Sequence, residues 1–254
     1  MCHEPDDFPP PAPAQGMLAG LRRHTLTAED GAEFAVTAAA TTRQGAPGIV
    51  IVPDVRGLHP FYERLAEQYA QSGVEALALD QYARSAGTAW RDVAFEYGEF
   101  VAASSGTVQM DVRAAVAALR AAGVGRVFVT GFCFGGRAAL MAPAEQEIDG
   151  AIGFYGWPVT PGFDGASPES LARAGSLRAP VLALFGEADP GIPEPDRARY
   201  AEALAAGGVA HEVMTYDAAP HSFFDRAQTV HAAHCADAWG RVLRFVESGS
   251  PLRA

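Results

Sequence analysis

Gly131-Phe132-Cys133-Phe134-Gly135-Gly136 sets a thiol between two flanking glycines, directly after Val127-Phe128-Val129-Thr130 and ahead of an alanine-rich stretch. This is the Gly-x-nucleophile-x-Gly spacing of a strand that turns sharply into a helix, with cysteine at the apex. The spacing has a steric reason. An apex side chain held out of such a turn needs a strained backbone, and glycines on either side let strand and helix approach without Cβ clashes. The apex also lies at a helix N-terminus, whose partial positive charge favours thiolate over thiol. The N–H of Phe134 then points to where an oxyanion would form on an acyl group attacked by Cys133. Alone, the pattern describes a buried structural cysteine equally well, so its partners decide.

An elbow of this kind is followed along the chain first by an acid and then by a histidine. Val181–Phe185 runs into Gly186-Glu187-Ala188-Asp189-Pro190, an acid in a Gly/Pro-rich loop after an apolar run. Glu187 competes for the role, but Asp189 lies farther into the loop and precedes the proline turn. His211–Tyr216 is then followed by Pro220-His221-Ser222-Phe223, which puts His221 between a strand and the final helix. Each spacing leaves room for the elements between. Cys133 as nucleophile, Asp189 as orienting acid and His221 as base would carry out acyl transfer. His231, His234 and Cys235 share one helical face but have no evident fourth ligand, so the expectation is no metal and no cofactor. Cys2-His3 is equally unsupported as a ligand pair.

These residues need a frame that brings three loops to one edge. Ile49-Val50-Ile51-Val52 is a continuous β-branched run, the pattern of a strand buried on both faces. Helical spacing over Phe61–Gln71 ends at Gly73, and Val74–Leu79 is a second buried strand. Val108, Val112, Ala115, Val116 and Leu119 form one stripe of a helix over 108–122. Strands at 127–129, 148–154, 181–185 and 211–216 continue the alternation, with helical patterns at 194–206 and 227–246. This predicts an α/β fold: a mostly parallel sheet with helices on both faces. Arg23–Thr27 and Glu33–Ala39 flank a Glu29-Asp30-Gly31 turn and predict an antiparallel hairpin. Residues 82–107 are aromatic and polar and are expected to cap one end of the sheet. Prolines 5, 9, 10, 11 and 13 make residues 1–20 an irregular arm, leaving 21–254 as a single domain.

Composition removes several classes of function. The 254 residues are 49% hydrophobic and 19% charged, which is globular. A net charge of −11 argues against nucleic acid. All 19 basic residues are arginine, so lysine Schiff-base and P-loop chemistry are excluded. Three cysteines at scattered positions do not make a disulfide framework. No apolar run approaches the roughly 18 residues of a membrane span, and the acidic start is unlike a signal peptide. The expectation is a soluble cytoplasmic protein, a monomer or homodimer, whose partner is a small molecule and not nucleic acid or a membrane.

Taken together, the elbow, Gly186–Asp189, Pro220–Phe223, Asp80-Gln81-Tyr82-Ala83-Arg84 and Gly153-Phe154-Tyr155-Gly156 resemble the dienelactone hydrolase family over roughly residues 20–246. That family has the α/β-hydrolase fold and a cysteine nucleophile. The resemblance implies an acid beside the nucleophile at Asp54, a second oxyanion N–H from Val55 beside that of Phe134, a substrate-carboxylate ligand at Arg84, and a pocket wall at Tyr155. It also implies hydrolysis of an ester or lactone bearing a carboxylate. Two positions depart from the pattern: Asp54 replaces a glutamate, and Asp225 stands where a second arginine is usual, four residues after the histidine. Arg56, in the loop of Asp54, is then the expected substitute for that arginine. A carboxylate at Asp54 would disfavour the thiolate until substrate moves it. The same triad also serves a thioesterase or acyltransferase, and the scaffold with an inert thiol would serve a binding protein.

Overall fold

Eight strands form one sheet in the order β1-β2-β4-β3-β5-β6-β7-β8 in a computed structural model that describes residues 8–13, 16–89, 91 and 95–250. The strands are β1 Leu18–Thr27, β2 Glu33–Thr41, β3 Gly48–Val52, β4 Glu75–Leu79, β5 Val127–Phe132, β6 Gly150–Phe154, β7 Val181–Gly186 and β8 His211–Tyr216. β1 and β2 form the antiparallel hairpin, closed at Ala28–Ala32, and β2 pairs antiparallel with β4. From β4 to β8 every pairing is parallel. All parallel strands therefore end at the same edge, where the loops after β3, β5, β7 and β8 emerge.

The β-branched run in β3 explains the layering. Ile49 and Ile51 point into one apolar cluster, Val50 and Val52 into another, so the strand is buried on both faces. On the first face, α1 (Pro60–Gln71) contributes Phe61, Tyr62, Leu65 and Tyr69, and α8 (Ala232–Ser248) contributes Trp239, Val242 and Phe245. On the second, α4 (Val108–Ala121) packs its Val108, Val112, Ala115, Val116 and Leu119 stripe, joined by Ala138, Ala139 and Ala142 of α5 (Phe134–Glu145). Short helices α2 (Ala83–Ala86), α3 (Val101–Ser105) and α6 (Ser170–Ala174), with α7 (Glu194–Ala206), complete the chain.

Two boundaries stand apart from the sequence reading. β1 begins at Leu18, within the span expected to be irregular, because its backbone pairs with Thr41. Described arm residues also pack onto the domain: Pro10 carbonyl accepts from Trp239 Nε1 at 2.9 Å, and Ala12 N–H donates to Gln68 at 3.0 Å. The last helix starts at Ala232, after successive turns from His221 to His231, rather than at residue 227. Part of the expected cap at 82–107 (residues 90 and 92–94) lies outside the described residues. Among the rest, Tyr82, Phe95 and Phe100 pack together, and Tyr82 hydroxyl donates to Val55 carbonyl at 2.5 Å.

Candidate active site

β5 passes into α5 through one residue, Cys133, which is buried and adopts φ 54°, ψ −110°. Such a backbone costs about 1–3 kcal/mol in a non-glycine residue and persists only where its surroundings hold it. Two hydrogen bonds do so: Cys133 N–H donates to Phe154 carbonyl, and Arg137 N–H donates to Cys133 carbonyl, each at 3.0 Å. A Cβ on Gly131 would come closer than 3.0 Å to the Gly135 backbone, and one on Gly135 equally close to Val52 and Pro53 carbonyls. The glycines therefore let strand, helix and the loop after β3 touch backbone to backbone. That contact brings Asp54 and Val55 alongside the first turn of α5, whose leading N–H groups, Phe134 among them, have no helical carbonyl to bond.

The loops after β7 and β8 meet at the same edge. His221 Nδ1 lies 2.6 Å from Asp189 Oδ2, and Asp189 Oδ1 accepts the Gly191 N–H at 2.9 Å. A carboxylate only accepts, so the imidazole proton sits on Nδ1 and Nε2 carries the lone pair. Nε2 is buried without a hydrogen-bond partner among the described residues. Trp157 stacks on the imidazole at 5.2 Å and 14°, and the Tyr155 ring lies 4.9 Å away. Tyr155, at φ 39°, follows Phe154, whose carbonyl holds the Cys133 N–H, so one short segment after β6 touches both nucleophile and base. Glu187, the competing acid, instead accepts the Ala218 N–H at 3.0 Å, and that bond lowers its pKa.

Behind this edge is a buried polar cluster. Arg56 donates through Nε to both oxygens of Asp54 at 3.0 and 3.1 Å and through its backbone N–H at 2.9 Å. Its guanidinium lies over Phe61 and Tyr62. Burial works against the Arg56 charge, yet the Asp54 carboxylate holds its pKa above the usual arginine range. Asp225 is also buried, and it accepts Tyr155 hydroxyl at 2.8 Å and Arg226 N–H. Burial first, and then the charge of Asp54, pushes the Asp225 carboxyl well above its ordinary value. A group whose pKa is raised by folding stabilises the fold at low pH and loses that contribution as pH rises through the raised value. Asn mimics the neutral acid. Asp225→Asn is therefore expected to melt near wild type at pH 6 and to lose less of its thermal midpoint than wild type by pH 9. Equal slopes in thermal melts from pH 6 to 9 would contradict this.

Arg84, the expected carboxylate ligand, is paired with two carboxylates of the chain. Nε and Nη2 donate to Asp30 at 2.6 and 2.9 Å, and Nη1 to buried Asp111 at 2.7 Å. Burial pushes Asp111 up to about 7 even so. Arg84 thus ties the β1–β2 turn to α4, where a desolvated carboxylate needs its charge. Arg56 binds Asp54 through Nε, while its Nη1 lies 3.4 Å from His59 Nδ1 and its buried Nη2 has no hydrogen-bond partner among the described residues. Tyr155, the expected pocket wall, lies fully buried with its hydroxyl on Asp225.

Two features escaped the sequence reading. One is Asp225 as a site residue, signalled only by its place four residues after His221. The other is an apolar cavity of about 220 Å³ lined by Trp157, Thr160, Pro161, Gly162 and Phe163. Phe163 reaches from Trp157 (5.8 Å) to Phe134 (6.1 Å), so the cavity bridges the base and the elbow. Among the described residues, no cluster of three or more His, Cys, Asp or Glu side chains could hold a metal, and no helix is long and apolar enough to cross a membrane. Cys235 donates to Phe223 carbonyl at 3.4 Å, and burial pushes its thiol up to about 12. Cys2 and His3 lie outside the described residues.

The dienelactone hydrolase family model matches residues 34–249. The chain is 30% identical to a Methylorubrum extorquens protein provisionally named a carboxymethylenebutenolidase, over 90% of this chain and 80% of that one. It is 26% identical to the carboxymethylenebutenolidase of Pseudomonas putida, over 84% and 89% of the two chains. A crystal structure of a Klebsiella pneumoniae protein, provisionally named a dienelactone hydrolase, superposes with a TM-score of 0.76 at 25% identity, covering 90% of this chain and 99% of that one.

Proposed function

Because the chain belongs to the dienelactone hydrolase family of α/β-hydrolases, we propose that it hydrolyses an ester or lactone bond of a small molecule through Cys133, His221 and Asp189. The observation that carries this reading is the Asp189–His221 bond at 2.6 Å, which leaves Nε2 as the basic nitrogen at the edge where the elbow presents Cys133.

The reaction proceeds in two steps. His221 Nε2 takes the Cys133 thiol proton as sulfur attacks the carbonyl carbon. The N–H groups of Phe134 and Val55 stabilise the resulting oxyanion, each contributing about 3 kcal/mol by analogy with single-donor deletions. The carbon–oxygen bond breaks, His221 returns the proton to the departing alkoxide, and a thioester remains on Cys133. In a lactone the alcohol stays tethered to the acyl group. His221 then deprotonates water, which attacks the thioester, and the free acid leaves as the thiol is restored. Asp189 holds the imidazole in one tautomer and stabilises its protonated form.

A panel of p-nitrophenyl esters and dihydrocoumarin, run alongside iodoacetamide labelling mapped to peptides, tests this. Turnover is expected to fall in proportion to alkylation of Cys133, and alkylation at pH 7 to outpace that of free cysteine. Full alkylation of Cys133 with turnover intact would contradict the reading.

A further inference from the structure

The described part of the proline-rich arm lies across the segment that carries the base. We propose that residues 8–12 are a strap that positions His221 against Cys133, with Gln228 and Trp239 as the positioning residues that hold it. The inference rests on the hydrolase reading above and extends it to a part of the chain outside the triad.

The segment around the base needs holding. Residues 221–231 run between β8 and α8 as successive turns, with neither a strand nor a helix ladder to fix them. Ala218 and Ser222, on either side of His221, adopt φ 52° and 61°. Residues other than glycine keep that left-handed backbone only where their surroundings over-determine it. Within the segment, Asp225 N–H donates to Ser222 carbonyl at 3.1 Å and Gln228 N–H to Asp225 carbonyl at 3.2 Å. Helix α8 adds the Cys235 thiol on Phe223 carbonyl. The arm adds the next fixed point, because Gln228 Nε2 donates to Phe8 carbonyl.

The composition of the arm suits this role. Pro9, Pro10 and Pro11 have no N–H, so the stretch cannot donate to a ladder, and its carbonyls are left as acceptors for side chains. Three parts of the domain use them. Gln228 bonds to Phe8, Gln68 of α1 to Pro9 at 3.4 Å, and Trp239 of α8 to Pro10 at 2.9 Å. Gln68 also accepts the Ala12 N–H at 3.0 Å, and the Arg64 guanidinium lies 3.8 Å over the Phe8 ring. Pro9, Pro10 and Ala12 are buried. The strap thus ties the His221 segment to α1 and α8. Its hold continues inward, since Trp239 packs on Phe224 at 5.7 Å, and Phe224 on Phe154 at 4.7 Å and Phe132 at 5.9 Å. Phe132 precedes Cys133, and Phe154 carbonyl accepts the Cys133 N–H, so this packing sets the His221 segment against the elbow.

The test uses the full chain with Gln68→Ala and Gln228→Ala combined, and separately with Trp239→Phe. These changes remove donors to the arm and leave the triad in place, and Trp239→Phe keeps an aromatic ring on Phe224. With 4-nitrophenyl butyrate, well below each melting temperature, kcat is expected to fall about tenfold in the double variant while KM stays within about twofold. Trp239→Phe is expected to show a smaller loss of the same kind. Proton–carbon NMR reads the base without turnover. The His221 Cε1–H signal, assigned by its loss in His221→Ala, is expected to be single and sharp in wild type and to broaden or split in the double variant. Lower melting temperatures with kcat and this signal unchanged would make the arm a stabiliser alone and overturn the inference, as would a loss carried wholly by KM. If wild type hydrolyses no ester, the hydrolase reading fails. The His221 signal still decides in that case whether the arm positions the imidazole.

Discussion

Cys133→Ala is expected to lower kcat/KM for an accepted ester by about 10⁴-fold or more, as is His221→Ala. The size follows from how the two act. Sulfur supplies the bond to carbon, and Nε2 moves the proton that makes sulfur a nucleophile and later activates water. Neither step has a substitute within the described site, since Cys235 is bonded to Phe223 carbonyl and its thiol is held protonated by burial. Residues that work as a unit are not additive. The double variant should therefore cost little more than either single one, whereas independent contributions would multiply. Asp189→Asn should leave the fold intact and cost less, because it disturbs the tautomer of His221 but not the presence of the base. Steady-state kinetics on the four variants, with thermal melts to show that each is folded, would check this series.

Gly135→Ala carries the second large effect, on the fold itself. The added Cβ would sit closer than 3.0 Å to Val52 and Pro53 carbonyls, which are backbone and cannot rotate away. Strand β3 and the elbow would have to separate, and the cost is expected to be roughly 3 kcal/mol or more. Gly125→Ala is the control, because no heavy atom lies within 4 Å of a Cβ built there. Denaturant unfolding should therefore shift strongly for Gly135→Ala and hardly at all for Gly125→Ala. Similar midpoints for the two would mean that the close approach at the elbow is not what demands glycine.

The close approach at Gly135 explains why the elbow was legible in the sequence. A backbone approach that excludes a Cβ must be written as glycine, and a strand buried on both faces must be written as an unbroken run such as Ile49–Val52. The acid and the base follow from order and from loops after apolar runs, because parallel strands end at one edge. Arg84 was illegible for the opposite reason. Its partners Asp30 and Asp111 stand 54 and 27 residues away along the chain, and nothing local marks a guanidinium as already paired. The start of β1 was hidden because an exposed edge strand shows no apolar alternation, and pairing with β2 alone defines it. Trp157 and Phe163 form a wall only once β6, the loop after it and the His221 loop meet.

The covalent intermediate is where the chemistry is most exposed to test. Wild-type protein mixed with a p-nitrophenyl ester, quenched in acid within the first turnover and measured by intact mass, should gain the mass of one acyl group. Peptide mapping should locate the acyl group on Cys133. Rapid turnover with no adduct, or an adduct on any other residue, would contradict the role assigned to Cys133.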